Sequence, residues 1–328
     1  MRSRQRGAAL LVVLLILALM VTIAAVITER TGKAFLRTES HLSRQQAKWY
    51  ALGAETLSGQ ILQRDARNMP GRTFAGQNWS QPGLRFPVDG GEITGQISDA
   101  RTCFNVNAIN QGVDNESTLV KTPYPAQVFR LLLKNLGEET DRAEKITAAV
   151  RDWIDADNYP SANGAEDDVY ATLPVPYRTA NQRMSEISEL RSVYGIDSDL
   201  YRRLLPYVCA LPVDAMSINI NTLTEFDAPL LSAVFLNEMT MSQAKALVQQ
   251  RPRMGWASLE VLQQTGLLPP NSKNTAQRVL AVKSEWFFVK LQVRVGDSDF
   301  HQRSLLHLSG QKVEVVQRQY GGYRTVNP

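Results

Sequence analysis

Histidine and cysteine are almost missing from this sequence, with three of the one and two of the other among 328 residues. Cys103 and Cys209 are too few and too far apart for a zinc ribbon, which needs four ligands in close pairs. In an oxidising compartment they would close one long loop, worth roughly 4–5 kcal/mol in the chain-entropy model. In a reducing one they would be two separate buried thiols. His41 falls on the long first helix and His301 and His307 around the terminal meander, and no G-x-S-x-G, P-loop or H-E-x-x-H accompanies them. The common hydrolase and nucleotide chemistries are therefore not indicated, and the chain reads as a non-enzyme. Excess charge is small as well: 36 Lys+Arg against 32 Asp+Glu leave +4. That is too little and too scattered to announce a nucleic-acid binder. With 44% hydrophobic and 21% charged residues over a length that suits two domains or more, the body has an ordinary globular composition.

Charge is absent altogether from Ala8 to Thr28. These 21 residues, at about 1.5 Å each, are long enough to span a hydrocarbon core of about 30 Å. Arg2, Arg4 and Arg6 precede them, which leaves the short end in the cytoplasm and sends the body across the inner membrane. A cleavable secretory signal has a shorter apolar core and a small-x-small site after it. Here helical spacing continues through Leu36, Leu42, Ala47, Ala51, Leu57, Ile61 and Leu62, with no proline before Pro70. One reading is a plain single-span anchor that runs on into an amphipathic helix. The other lies in the junction "RQRGAALL", which resembles the type IV pilin and pseudopilin signal. That likeness implies cleavage between Gly7 and Ala8 by prepilin peptidase, with the apolar segment kept. Most such proteins carry glutamate at the fifth mature position, where this chain has Val12. An unpaired carboxylate within a bilayer is costly, so its loss suits a subunit with no neighbour's amine ahead of it.

Beyond the helix, Leu84–Val88 and Glu92–Ser98 flank Asp89-Gly90-Gly91 and predict a hairpin. Strand alternation returns only near the C-terminus. There Val289, Leu291, Val293 and Val295 share one face, and strands at Gln302–Leu308 and Lys312–Gln319 complete a meander. Helical patterning fills the space between, so the expected fold is α+β, with an all-α domain inserted into a small antiparallel sheet. A weak repeat marks that insertion. Phe104-Asn-Val-Asn is echoed by Ile218-Asn-Ile-Asn, and each is followed by two apolar helices in a helix-hairpin-helix-like arrangement. DNA-binding versions of that arrangement expose glycine amides to phosphate. This chain has Glu238-Met239-Thr240-Met241 there, which favours a structural module over a membrane-tethered DNA receptor.

The chemically loaded stretch is "DWIDADNYPSANGAEDDVY". Asp155, Asp157, Glu166, Asp167 and Asp168 crowd together with Asn158, Asn163 and Gly164. Counted from Asp155, EF-hand positions one, three, nine and twelve match, but Tyr159 and Pro160 occupy positions five and six, so this is not an EF-hand. A solvated acidic loop is the plain alternative. Crowded like charges repel without a cation, and flanking Pro and Tyr residues argue against a floppy segment, which points to calcium.

The leader, Val12, the acidic stretch with "YRTANQRMSEISEL", and "ININ" together resemble the K-type minor pseudopilins of bacterial type II secretion systems, over essentially the whole chain. The resemblance implies a leader at 1–7, a membrane span at 8–28 and a periplasmic helix at 29–68. It implies a pilin-like sheet at 69–102 and 280–328 and an inserted helical domain at 103–279. It further implies calcium held by Asp155, Asp157, Glu166, Asp167 and Asp168, and a Cys103–Cys209 disulfide stapling the insertion near its base. The partners it implies are the type I and type J minor pseudopilins at the tip of the periplasmic pseudopilus, prepilin peptidase and the inner-membrane secretion platform. Nucleic acid is not among them.

Overall fold

The computed structural model describes residues 6–112, 122–270 and 278–321. The first residues of the expected leader (1–5) and the end of the expected sheet region (322–328) lie outside the described residues. Helix α1 runs from Arg6 to Asn68 unbroken. No proline interrupts it, and Thr22, Thr28, Thr38, Thr56 and Ser58 donate their hydroxyls back to carbonyls three or four residues earlier. Every residue from Ala8 to Leu42 is exposed, and the first part of α1 is long and apolar enough to cross a membrane.

From Ala47 onward, α1 lies on a five-stranded antiparallel sheet. Its strands are β1 (Leu84–Val88), β2 (Gly91–Asp99), β7 (Trp286–Val295), β8 (Ser298–Ser309) and β9 (Lys312–Tyr320), in the order β1-β2-β7-β8-β9. Pairing of Val88 with Gly91 leaves Asp89-Gly90 as a two-residue turn, and Gly90 supplies the left-handed conformation there, at φ +77°. The expected alternation in β7 holds: Phe287, Val289, Leu291, Val293 and Val295 are buried and meet Ala47, Ala51 and Leu62 of α1. Alanines at the contact let helix and sheet approach closely. One charge sits inside this interface. Glu55 accepts from Gln302, Ser304 and Arg318, and the Arg318 guanidinium reaches its two oxygens at 2.8–3.0 Å.

The sheet has a direction relative to α1. Asp89 O, at the β1–β2 turn, accepts from Gln46 Nε2, and Ser298, at the β7–β8 turn, lies beside Ser40. The other ends, Asp99 and Trp286, lie away from the apolar span. There the chain that follows α1 meets the insertion, with Thr73 N donating to Val282 O and Arg72 reaching Gly255 O. The insertion thus leaves and re-enters the sheet at the end far from the apolar segment.

Within the insertion run β3 (Phe104–Asn105), α2 (Tyr124–Asn135), α3 (Thr140–Ile154), α4 (Asp167–Tyr170), α5 (Ser198–Leu204), β4 (Val208–Cys209), β5 (Ile218–Asn219), α6 (Ala228–Val234), α7 (Met241–Gln249), α8 (Leu259–Gln264) and β6 (Leu280–Ala281). The repeat is structural. β3 pairs in parallel with β4, and β5 pairs in parallel with β6. Asn105 Oδ1 accepts from Asn107 N, just as Asn219 Oδ1 accepts from Asn221 N. Asn107 then bonds Met184 N, Met184 O and Leu211 O, while Asn221 bonds Trp256 N, Trp256 O and Val282 O. Each second asparagine is a buried clasp between distant segments.

Three details differ from expectation. The insertion is not purely helical, because the asparagine motifs each open with a two-residue strand. Leu280–Ala281, expected with the sheet, pairs with β5 instead. Residues 155–197 contain little regular helix, because Pro160, Pro174 and Pro176 and the αL residues Asn163 and Asn181 interrupt it. Cys103 and Cys209 are joined by a disulfide that closes a separation of 106 residues. Cys209 packs with Ala100, Leu211, Trp286 and Leu305 at the seam between sheet and insertion. Gly7 and Ala8 both lie in the first turns of α1, and Ala8 is exposed.

Candidate metal centre

The acidic stretch is positioned from three sides. α3 ends at Ile154, with Asp155 as its C-cap in extended conformation, so Asp155 and Asp157 project from the chain leaving the helix. Glu166 is the extended residue before α4. The returning segment, 178–184, supplies Thr179 and Asn181. Asn181, at φ +46°, donates its amide to Asp157 O and to Asn158 Oδ1, which ties the return to the loop.

One oxygen from each of Asp155, Asp157 and Glu166 lies within 4.8 Å of the other two. Calcium holds oxygens at 2.3–2.6 Å, so two ligands of one ion stand at most about 5 Å apart. The three carboxylates meet that limit. Three oxygens here are buried without a hydrogen-bond donor: Asp155 Oδ1, Glu166 Oε1 and Asn181 Oδ1. Buried acceptors that lack donors are costly, and a hard cation satisfies several at once. The donor set is all oxygen, as calcium requires.

The electrostatics agree. Burial, then the charges of Asp157, Asp152 and Glu166, push the Asp155 carboxyl up to about 7. Burial also raises Glu166, against the hydrogen bond from Thr179. The crowding therefore falls on the residues whose oxygens lack partners.

Of the five residues expected as ligands, the structure brings three together. Asp167 is turned to Thr179, accepting from its N–H at 3.0 Å and its hydroxyl at 2.9 Å, with Arg178 at 3.9 Å. Asp168 is exposed and accepts from the N–H of Val169 beside it. Three contributors are new. Asp152, fully buried at the end of α3, accepts from Ser161 N and Ala165 N and so folds the loop back on itself. Gly164 is needed for this turn, because a Cβ there would come within 1.8 Å of Asp152 Oδ2. Thr179 and Asn181 come from a segment whose sequence, "YRTANQR", carries no acid.

The helix hairpins make a different use of their backbone. At the second, Leu236 and Asn237 adopt positive φ, and the N–H groups of Asn237 and Glu238 donate to Ser232 O and Phe235 O. Asn237 exchanges amide hydrogen bonds with Asn135. Both hairpin amides are bonded inside the chain rather than turned outward toward a phosphate.

A long, half-bare N-terminal helix on a small antiparallel sheet defines the pilin-like class, here with a large insertion at one end. The sequence models of the family "Type II secretion system (T2SS), protein K" match residues 102–213 and 218–283. The type II secretion system protein K of Pectobacterium carotovorum subsp. carotovorum is 99% identical, with both chains covered in full. That of Dickeya chrysanthemi is 50% identical, again over the whole of both chains. Among solved structures, a chain of the GspK–GspI–GspJ complex from the enterotoxigenic Escherichia coli type 2 secretion system matches with a TM-score of 0.79. It is 34% identical and is covered in full by 88% of this chain. The chain belongs to the type II secretion system protein K family, and its role is that of a minor pseudopilin in type II secretion.

Proposed function

We propose that this minor pseudopilin caps the tip of the periplasmic pseudopilus, in complex with the type I and type J minor pseudopilins, and helps start filament assembly. The observation that carries the reading is the place of the insertion. It occupies the end of the sheet opposite the apolar span, where a subunit ahead of this one in the filament would have to sit, so a subunit of this shape can only be the first. The solved GspK–GspI–GspJ complex supports the choice of partners. Before assembly the subunit is held by its apolar segment in the inner membrane, N-terminus in the cytoplasm and body in the periplasm, beside the secretion platform. Prepilin peptidase cuts between Gly7 and Ala8, and the new N-terminus is methylated. The role is structural rather than enzymatic.

The acidic loop is a calcium site in this reading, held by Asp155, Asp157 and Glu166 with Asn181 Oδ1 beside them. Bound calcium would neutralise the carboxylates and join the end of α3, the start of α4 and the 178–184 return. Electron microscopy of filaments carrying a label on the insertion tests the cap. Label at one end of each filament is expected, and label spaced along the shaft would overturn it. Mass spectrometry of the chain co-expressed with prepilin peptidase tests the processing, with a chain beginning at methylated Ala8 as the expected product.

A further inference from the structure

Between the apolar span and the sheet, α1 is bare but not uniform. Arg30, Lys33, Arg37, His41, Arg44 and Lys48 are all exposed, the last over the Tyr320 ring at 5.7 Å, where α1 meets the sheet. At about 100° per residue they fall within an arc of about 80°, which makes one continuous basic stripe. The same stretch holds only two acids. Glu29 pairs with Lys33, and Glu39 lies on the opposite side of the helix. Arg30, Arg37 and Arg44 have no carboxylate partner among the described residues. Three such unneutralised guanidinium groups in a row repel one another and gain when an acidic surface covers them.

We propose that this stripe is the docking strip for a helix of a neighbouring minor pseudopilin that carries carboxylates at three- and four-residue spacing. The inference rests on the tip-complex reading above. Two other sources of negative charge fit poorly. Measured from Thr28, α1 rises about 1.5 Å per residue, so Arg30 and Lys33 stand within about 8 Å of the apolar boundary and Lys48 about 30 Å beyond it. The headgroup layer on each side of a bilayer is only about 6 Å thick, so lipid phosphates reach the lowest two charges and leave the rest. A second copy of this chain offers Glu29 and Glu39 alone over the same length. A rod lying alongside α1 can meet the whole stripe, and a helix keeps carboxylates in register with it because both share the same period. The exposed line Phe35, Leu42 and Trp49 faces another flank, about 140° round the helix. The charged neighbour is thus distinguished from one that packs by apolar contact.

The test uses the full chain, co-expressed in membranes with the type I and type J subunits of its own system and recovered in detergent. Both partners are quantified across sodium chloride from about 50 to 500 mM, a range over which the screening length falls severalfold. With the unaltered chain, recovery of one partner should fall as salt rises. The pair Arg37→Glu and Arg44→Glu should lower that partner at low salt by about tenfold and leave the other unchanged, and Arg37→Gln with Arg44→Gln should give an intermediate loss. Both side chains are exposed and make no hydrogen bond or ion pair among the described residues, so the helical circular dichroism should persist. Recovery of both partners at the unaltered level from the Glu variant would overturn the proposal. So would loss of flotation with phosphatidylglycerol vesicles while partner recovery is unchanged, which would assign the stripe to headgroups. Recovery of neither subunit by the unaltered chain would instead overturn the tip-complex reading, and the stripe with it.

Discussion

Asp99, at the end of β2, and Asp155, at the end of α3, are both carboxylates withdrawn from water, and they are provisioned in opposite ways. Asp99 receives four donors: Arg101 N and Ser284 Oγ on one oxygen, Asn219 Nδ2 and Thr222 Oγ1 on the other. Burial raises its carboxyl above the ordinary aspartate range while these bonds pull it back down. The donors come from the sheet end, from the second asparagine module and from the segment between β6 and β7 that leads back into the sheet, so Asp99 knots the insertion to the pilin-like body. Asp155 has one oxygen buried with no donor, and its surroundings add Asp157 and Glu166. Glu55 shows a third provision, a guanidinium, in the α1–sheet interface. A buried acid supplied with donors is finished by the protein itself. One surrounded by other acids with unmet oxygens is left unfinished by the protein, which is the ground for proposing a cation there.

That contrast predicts effects of different size and opposite sign. Asp99→Ala orphans four buried donors and should cost roughly 3 kcal/mol in denaturant unfolding of the detergent-solubilised chain, equally with calcium and with chelator. Asp99→Asn should also destabilise, because an amide nitrogen then faces donors. At the acidic loop, calcium at about one hundred times its dissociation constant should stabilise by about 2.7 kcal/mol, seen as a rise in melting temperature. Glu166→Gln should abolish that rise. In chelator the same variant should be as stable as the unaltered chain or more so, by up to about 1 kcal/mol, since a repelling charge is gone. A Glu166→Gln chain that still responds to calcium would break the comparison, as would an Asp99→Ala chain with full stability.

The pH response sharpens it further. Unfolded Asp155 ionises near the ordinary value of 3.8, whereas folded it does so only near 7. Between the two the folded chain holds the extra proton, so in chelator stability should fall as pH rises through that window and level off above it. Calcium binding requires the ionised loop, so the gain from calcium should grow over the same window. Melts at pH 5, 6 and 7, with and without chelator, read both trends.

Much of the fold was legible because its signals are local. The length and charge-free start of α1 follow from composition, the β1–β2 hairpin from Asp-Gly between alternating residues, and the meander from the apolar set on β7. The asparagine modules were visible as a repeat, but their pairing with β4 and β6 was not, because a two-residue strand has no period. The site was half legible. Asp155, Asp157 and Glu166 stand out as a cluster of acids, yet nothing local separates them from Asp167 and Asp168. That separation is made by Thr179, which draws Asp167 aside, and by the turn of α4, which carries Asp168 outward. Asn181 and Asp152 escaped notice for related reasons. One is neutral and lies beyond two prolines, and the other is embedded in an apolar helix end beside Trp153. A carboxylate three residues before Asp155 on the same helical face was the one available hint of Asp152.

Asp168 gives the smallest effect and the finest test of where the site ends. It adjoins Asp167 in sequence, carries the same charge as the three clustered acids and sits in the first turn of α4, yet its side chain is exposed and bonds only the next N–H. Its interaction with the ion would cross solvent, where screening leaves little. Asp168→Ala should therefore cost a few tenths of a kcal/mol from the lost helix-start contact and leave the calcium titration midpoint within about twofold. Asp167→Ala should fall between the extremes, because it frees Thr179, which donates to Glu166. Titrations of the two variants by isothermal calorimetry, side by side, separate geometry from mere acidity. If Asp168→Ala weakens calcium as much as Glu166→Gln, the loop binds through its summed charge, and the buried oxygens of Asp155 and Glu166 do not define the site.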